Sequence, residues 1–351
     1  MKRKVITALL AATMVASLAV GCGNKGGDSK SDSSKSSSSD EITIGFSQVG
    51  AESDWRTANS ESMKSTFSEK NGYKLIFDDA QQKQENQITA IRNFIQQDVD
   101  YIVLAPVTET GWDTVLKEAK DADIPVIIVD RMIDVSDDSL YTAWVGSNFK
   151  MEGQKACEWL NAYAEAKGMK EVNIAHIQGT IGASAQIGRT EGLEEAAKEY
   201  GWNIVAQQTG EFTQAKGQEV MESMLKQYDN INVVYCENDN EAFGAIEAIK
   251  AAGKTVGPDG DILVMSFDTT KQGITDTLSG DIIVNTECNP LHGPRVEQII
   301  KQLQAGETPE KQAYVEEGIY AHGSDVASVS IDGTDYEVTE VTQDVVDARA
   351  Y

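Results

Sequence analysis

Cysteine is scarce in this chain of 351 residues: four in all, at positions 22, 157, 236 and 288, with no CxxC pair. That spacing argues against a disulfide framework and against a zinc site. Histidine is scarcer, with His176, His292 and His322 far apart. There is no HExxH, no Walker A sequence, no GxGxxG and no GxSxG elbow, so the common metal, nucleotide and hydrolase signatures are missing and no cofactor is expected. Six prolines and 40 % hydrophobic residues exclude collagen-like and wholly disordered chains. Positive charge is also short, 30 Lys plus Arg against 56 Asp plus Glu, a formal −26. Such a balance repels polyanions, so nucleic acid and anionic membrane surfaces are not expected partners.

The one long apolar run lies at the N-terminus. MKRK leads into VITALLAATMVASLAV and ends at Gly21-Cys22, which reads as a signal peptide over residues 1–21 and is short for a spanning helix. Leu18-Ala19-Val20-Gly21-Cys22 resembles the lipobox of bacterial lipoproteins, which implies a lipid on Cys22. Residues 23–40, GNKGGDSKSDSSKSSSSD, hold no large apolar side chain, so 22–40 is expected to be a flexible tether. The first 40 residues carry six basic and three acidic side chains; the remaining 24 basic and 53 acidic ones leave a domain of formal charge −29.

From residue 42 short apolar runs alternate with stretches of helical period. The predicted strands are 42–49, 73–78, 100–106, 124–130 and 141–147, then 172–179, 203–209, 231–237 and 261–268. Ile88, Ile91, Phe94 and Ile95 share one face of an intervening helix. Repeated strand–helix–strand order with continuous apolar strands predicts an α/β protein of two doubly wound parallel-sheet lobes.

Ligands of such sheets gather at the carboxyl ends of the strands. The first lobe places Glu52, Trp55, Arg56, Asp79, Asp130 and Arg131 there; the second offers Arg189, Asn238 and Asp268. Carboxylates, amides and guanidinium forks saturate sugar hydroxyls, and an aromatic ring covers the C–H face. Each position has a plainer reading: Asp54, Asp79 or Asn238 as a cap, Asp130-Arg131 as a local ion pair, Trp55 as core.

At these residues the motifs GFSQVGAESDWR, DDAQQKQENQI, LAPVTETGW, DRMID, QGTIGAS followed by Arg189, and GEFTQAKGQEVMES resemble the type I periplasmic sugar-binding family of ABC transporters, and within it the galactofuranose-binding branch. The resemblance spans nearly all of residues 42–310. It implies a hinge of three crossing strands, a monosaccharide between the lobes, and binding roles for Glu52, Trp55, Arg56, Asp79, Asp130, Arg131, Arg189, Asn238 and Asp268. Asp54, Gly188 and the run CENDN depart from the family pattern. The expected lobes are 42–147 with 290–307, and 148–289 with 308–351. The expected protein is a monomer with no catalytic residues, lipid-anchored outside the cytoplasmic membrane, handing an aldose such as galactofuranose to permease subunits. A sensory binding protein and a secreted glycosidase are the alternatives. Whether Cys236 and Cys288 pair stays open.

Overall fold

The computed structural model describes residues 41–351; the expected signal peptide, tether and Cys22 anchor lie outside the described residues. The chain runs through β1 (Ile42–Gln48), α1 (Asp54–Thr66), β2 (Tyr73–Asp79), α2 (Gln84–Gln96), β3 (Tyr101–Leu104), α3 (Asp113–Asp121), β4 (Val126–Val129) and β5 (Ala143–Gly146). It crosses over and continues with α4 (Phe149–Lys167), β6 (Asn173–Gln178), α5 (Ser184–Tyr200), β7 (Asn203–Thr209), α6 (Gln214–Gln227), β8 (Val233–Cys236), α7 (Asp239–Ala251), β9 (Leu263–Asp268), α8 (Lys271–Ser279) and β10 (Val284–Glu287). It then returns for α9 (Gly293–Gln304) and β11 (Gln312–Tyr314), and ends on β12 (Ile319–Ala321), β13 (Ser328–Ile331), β14 (Thr334–Glu340) and α10 (Gln343–Ala348).

The first sheet has the order β11-β5-β4-β3-β1-β2 with every pair parallel. The second has the order β13-β14-β12-β10-β9-β8-β6-β7, parallel from β7 to β10 and mixed beyond. The protein is a two-lobe α/β fold with parallel sheets. β3, β4 and β8 are buried along nearly their whole length, as strands covered by helices on both faces must be. Close layering needs small residues at particular points. A Cβ at Gly45 would overlap the Phe94 ring of α2. On α5, a Cβ at Gly188 would lie 2.8 Å from the Lys150 amide nitrogen of α4. At Gly188, one of the departures, the two helices thus touch backbone to backbone.

One boundary differs from expectation. Residues 312–314 were expected with the second lobe; as β11 they pair in parallel with β5 of the first sheet, and only β12 onward joins the second. The third crossing therefore follows β11 instead of preceding it. The crossings are residues 147–148, 288–292 and 315–318. No helix among the described residues is long and apolar enough to cross a membrane.

Candidate functional site

The carboxyl ends of β1 and β4 in one lobe and of β8 and β9 in the other face a single small cavity lined by buried side chains. Its lining includes Glu52, Trp55, Arg56, Asp130, Arg131, Arg189, Asn238 and Asp268. Eight of the nine side chains expected at the site are thus brought together. Asp79 is not. It is exposed, and its carboxylate accepts the Gln81 amide at 2.8 Å, closing an Asx turn after β2. It is not a helix cap either, since α2 starts after Lys83; its side chain satisfies a bend in which Gln81 and Gln82 sit at φ +53° and +59°.

The two lobes supply matching halves. In the first, α1 begins with Ser53 as cap, its hydroxyl accepting the Arg56 amide at 3.1 Å, which sends Trp55 and Arg56 inward. Arg56 Nε donates to Glu52 Oε1 at 3.0 Å, and its Nη1 lies 2.7 Å from Asp130 Oδ2. In the second, Arg189 Nε donates to Glu152 Oε2 at 2.8 Å, Nη2 approaches Asp268 Oδ1 at 3.4 Å, and Nη1 donates to the Glu237 carbonyl. Asp130 and Asp268 both carry positive φ, +64° and +101°, a strained turn that aims each carboxylate across its sheet edge.

Arg131 is set differently. Its Nη1 donates to the Val107 carbonyl at 3.0 Å, whereas Nη2 stands 3.8 Å from Glu52 and Nε 4.0 Å from Asp130. Burial, with Arg56 and Arg189 nearby, pushes this guanidinium down to about 10. Arg56 is the opposite case: burial opposes its charge, yet Asp130 and Glu52 hold it above its ordinary value. Asp130, which burial alone would raise, is held below the usual carboxylate range by Arg56 and Arg131. Burial pushes Asp268 well up despite Arg189. Glu52 Oε2 is buried with no hydrogen-bond partner among the described residues, and Asp130 Oδ2 has Arg56 Nη1 as its one close partner. The lining therefore offers underpaired donors on Arg131 beside a free acceptor on Glu52. Its three guanidinium and three carboxyl groups cancel in formal charge, which suits a neutral polar guest.

Three aromatic rings line the same space, Trp55, Phe149 and Phe212. The last two were missed in the sequence. Phe149 opens α4 and reads there as an ordinary apolar face. Phe212 sits at φ +60° in a turn after β7, its amide donating to Glu241 Oε1 at 2.9 Å and its carbonyl accepting Asn238 Nδ2 at 3.1 Å. A Cβ at Gly179 would overlap its ring, so that glycine makes room for it. Asn238 is both a cap, accepting the Glu241 amide at 2.8 Å, and part of the cavity wall. The CENDN departure supplies buried support: Glu237 accepts Gly179 N at 2.7 Å and Thr190 Oγ1 at 2.6 Å, behind Arg189. Cys157, Cys236 and Cys288 are free, so the pairing of Cys236 with Cys288 is answered in the negative.

The lobes are closed on each other. Asp54 N donates to Asn240 Oδ1 at 3.0 Å, Glu109 N to the Gly182 carbonyl at 3.0 Å, and Met132 N to Ser184 Oγ at 2.9 Å, all between lobes. Asp54, another departure, thus contributes its backbone to the seam.

Comparison with known proteins agrees with this architecture. The periplasmic binding protein domain model matches residues 44–286. The galactofuranose-binding protein YtfQ of Escherichia coli is 44 % identical over 284 residues, 80 % of this chain and 87 % of the relative. A crystal structure from Mycobacterium smegmatis in complex with β-D-fucofuranose superposes with a TM-score of 0.76 at 44 % identity, over 80 % of this chain and 91 % of the other. The periplasmic binding component of the arabinose ABC transporter of Shewanella sp. ANA-3, bound to α- and β-L-arabinofuranose, gives 0.75 at 44 %, over 80 % and 92 %. These relatives are binding proteins and not enzymes, and this chain belongs to the same periplasmic binding protein family, which places it outside the cytoplasm.

Proposed function

We propose that the chain binds an aldose in its furanose form within the closed cavity and presents it to the permease of an ABC importer. The observation that carries the reading is the cavity itself: underpaired Arg131 donors and the unpaired Glu52 Oε2 in a formally neutral lining that also holds aromatic rings. A ring of hydroxyls answers those groups as donor and acceptor at once, and its C–H faces suit the rings. The relatives' names, galactofuranose, fucofuranose and arabinofuranose, support a five-membered ring. A guest lacking one hydroxyl leaves a buried group unpaired, at about 1–3 kcal/mol each. Glu52, Trp55, Arg56, Asp130, Arg131, Arg189, Asn238 and Asp268 are the proposed contacts.

A thermal-shift panel of pentoses and hexoses tests this. A bound sugar at about 100 times its dissociation constant stabilises the protein by about 2.7 kcal/mol. Silence across D-galactose, D-fucose and L-arabinose sinks the assignment. We further propose that Cys22 carries the lipid that keeps the protein at the outer face of the membrane. Cys22→Ala then moves it to the soluble fraction with sugar binding intact; a variant that is processed yet stays with the membrane shows that Cys22 is not the anchor.

A further inference from the structure

The three crossings meet at one carboxyl group. Glu317 stands on the third; its Oε1 accepts from Ser147 Oγ of the first at 2.6 Å and from the Asn289 amide of the second at 2.7 Å. Rotation of one lobe against the other turns all three segments, so Glu317 lies on the axis of that motion. The same residue is tied to α4, where Lys155 Nζ donates to its carbonyl at 2.7 Å. A carboxylate oxygen of Glu152, one of Glu317 and the Cys288 sulfur lie within 4.8 Å of one another. Glu152 in turn holds Arg189 in the cavity wall through Oε2, while its Oε1 is buried with no hydrogen-bond partner. Hinge and cavity are linked through two carboxyl groups.

Charge counting shows what this cluster needs. The groups facing it are Lys155 on α4, Arg189 on α5, Asp268 at the end of β9 through Arg189, Glu287 at the end of β10 and Cys288 on the second crossing. Glu287 is matched by Arg349 at 2.8 Å, and burial keeps the Cys288 thiol neutral. Three carboxyls, Glu152, Glu317 and Asp268, then share the two cations Arg189 and Lys155. One negative charge is formally left over, and a proton on any of the three carboxyls removes it; only a proton between Glu152 and Glu317 also gives Glu152 Oε1 a partner.

We infer that Glu317 is a positioning residue that couples lobe closure to Arg189 through a proton shared with Glu152, so that closing takes up a proton from solvent. Burial, with Glu152 adding to it, raises the Glu317 carboxyl well above its ordinary range, and burial raises Glu152 as well. Glu317 is half-buried as a residue although its carboxyl is enclosed, so opening admits water and the pair titrates as ordinary carboxyls. The sign follows. Closure is favoured fully at and below the ordinary carboxylate range, and the favour declines as pH rises toward the closed-form value, by up to about tenfold per pH unit.

This inference rests on the sugar-binding reading for its ligand arm alone. Spin labels on Asp121→Cys and Asp229→Cys, exposed positions of the first and second lobes, report the inter-lobe distance without sugar. The closed fraction should fall with rising pH in the parent protein and stay flat in Glu317→Gln, a neutral isostere that still accepts from Ser147 and Asn289. Calorimetric titration with L-arabinose in two buffers of different ionisation enthalpy should show proton uptake in the parent and none in Glu317→Gln. Glu317→Ala should weaken binding about tenfold at every pH, with Gln restoring it. Identical pH profiles for parent and Glu317→Gln in the distance measurement overturn the inference. A pH-dependent closure abolished by Gln, with no heat from the sugar, upholds it and removes the ligand reading instead.

Discussion

Arg131 separates a binding group from a structural one, because the fold and the ligand make opposite demands on it. Without ligand its guanidinium is enclosed with one good hydrogen bond, to the Val107 carbonyl, and two carboxylates at 3.8 and 4.0 Å that are too far to pair with it fully. The depression to about 10 means that the folded state carries this cation at a cost of about 3 kcal/mol. Arg131→Met removes the charge, keeps much of the aliphatic stem and strands the Val107 carbonyl at about 1 kcal/mol. The net expectation is a variant as stable as the parent or more so, by up to about 2 kcal/mol in urea unfolding. Binding moves the other way. Arg131→Lys keeps a charge but loses the planar fork, and forfeiting one charged hydrogen bond costs about 1.5 kcal/mol, or about twelvefold in affinity by calorimetry. Arg131→Met should lose more. If both variants bind the sugar as the parent does while the apo protein is strongly destabilised, Arg131 belongs to the core and the cavity assignment fails.

Small-angle scattering on the sugar-saturated and sugar-free protein should give a smaller radius of gyration with sugar, since the contacts come from both lobes; superimposable profiles at saturation count against hinge closure. Asp79→Ala should leave affinity unchanged and cost about 0.5 kcal/mol through its turn; a large affinity loss would return Asp79 to the site. His292, pushed down to about 4 by burial, accepts at Nδ1 from Asn59 Nδ2 at 3.0 Å and is neutral in the fold. Its contribution to stability is complete above the ordinary histidine value and is lost as pH falls toward about 4, by at most about 3 kcal/mol. Between about pH 7 and about pH 4.5 the parent should therefore lose more stability than His292→Asn, and equal losses would show that His292 does not titrate on unfolding.

The part of this protein that could be read from its sequence is the part that repeats a local rule. Nine predicted strands correspond to β1 through β9 within a few residues, because the central ones, buried on both faces, leave uninterrupted apolar runs and the edge strands β2 and β7 still carry short ones. Polar residues at the ends of those runs were legible for the same reason. Strand β10 and the segments β11 to β14 were not, since Val284–Glu287 is four residues long and mostly polar and β11 is three residues long with an exposed edge. Asp79 shows the limit from the other side: a carboxylate at a strand end satisfies the rule whether it faces a ligand or its own backbone two residues on.

Phe212 shows why the cavity's apolar half stayed hidden. Its ring reaches the site because two consecutive non-glycine residues, Glu211 and Phe212, adopt φ of +57° and +60°. No periodicity encodes that turn. It is imposed by tertiary partners: Glu241 takes the Phe212 amide, Asn238 the carbonyl, and Gly179 leaves the volume for the ring. Of these, Glu241 is itself buried and its carboxyl is raised well above its ordinary range by burial and by Glu237, so the second lobe bears an electrostatic cost to hold one phenyl ring in place. The ring in turn lies 5.1 Å from the Arg131 guanidinium of the other lobe, so part of what the second lobe invests is returned only when the lobes close. The turn built within the second lobe and the underpaired cation of the first thus meet only in the closed form, a pairing that no local pattern of the sequence encodes.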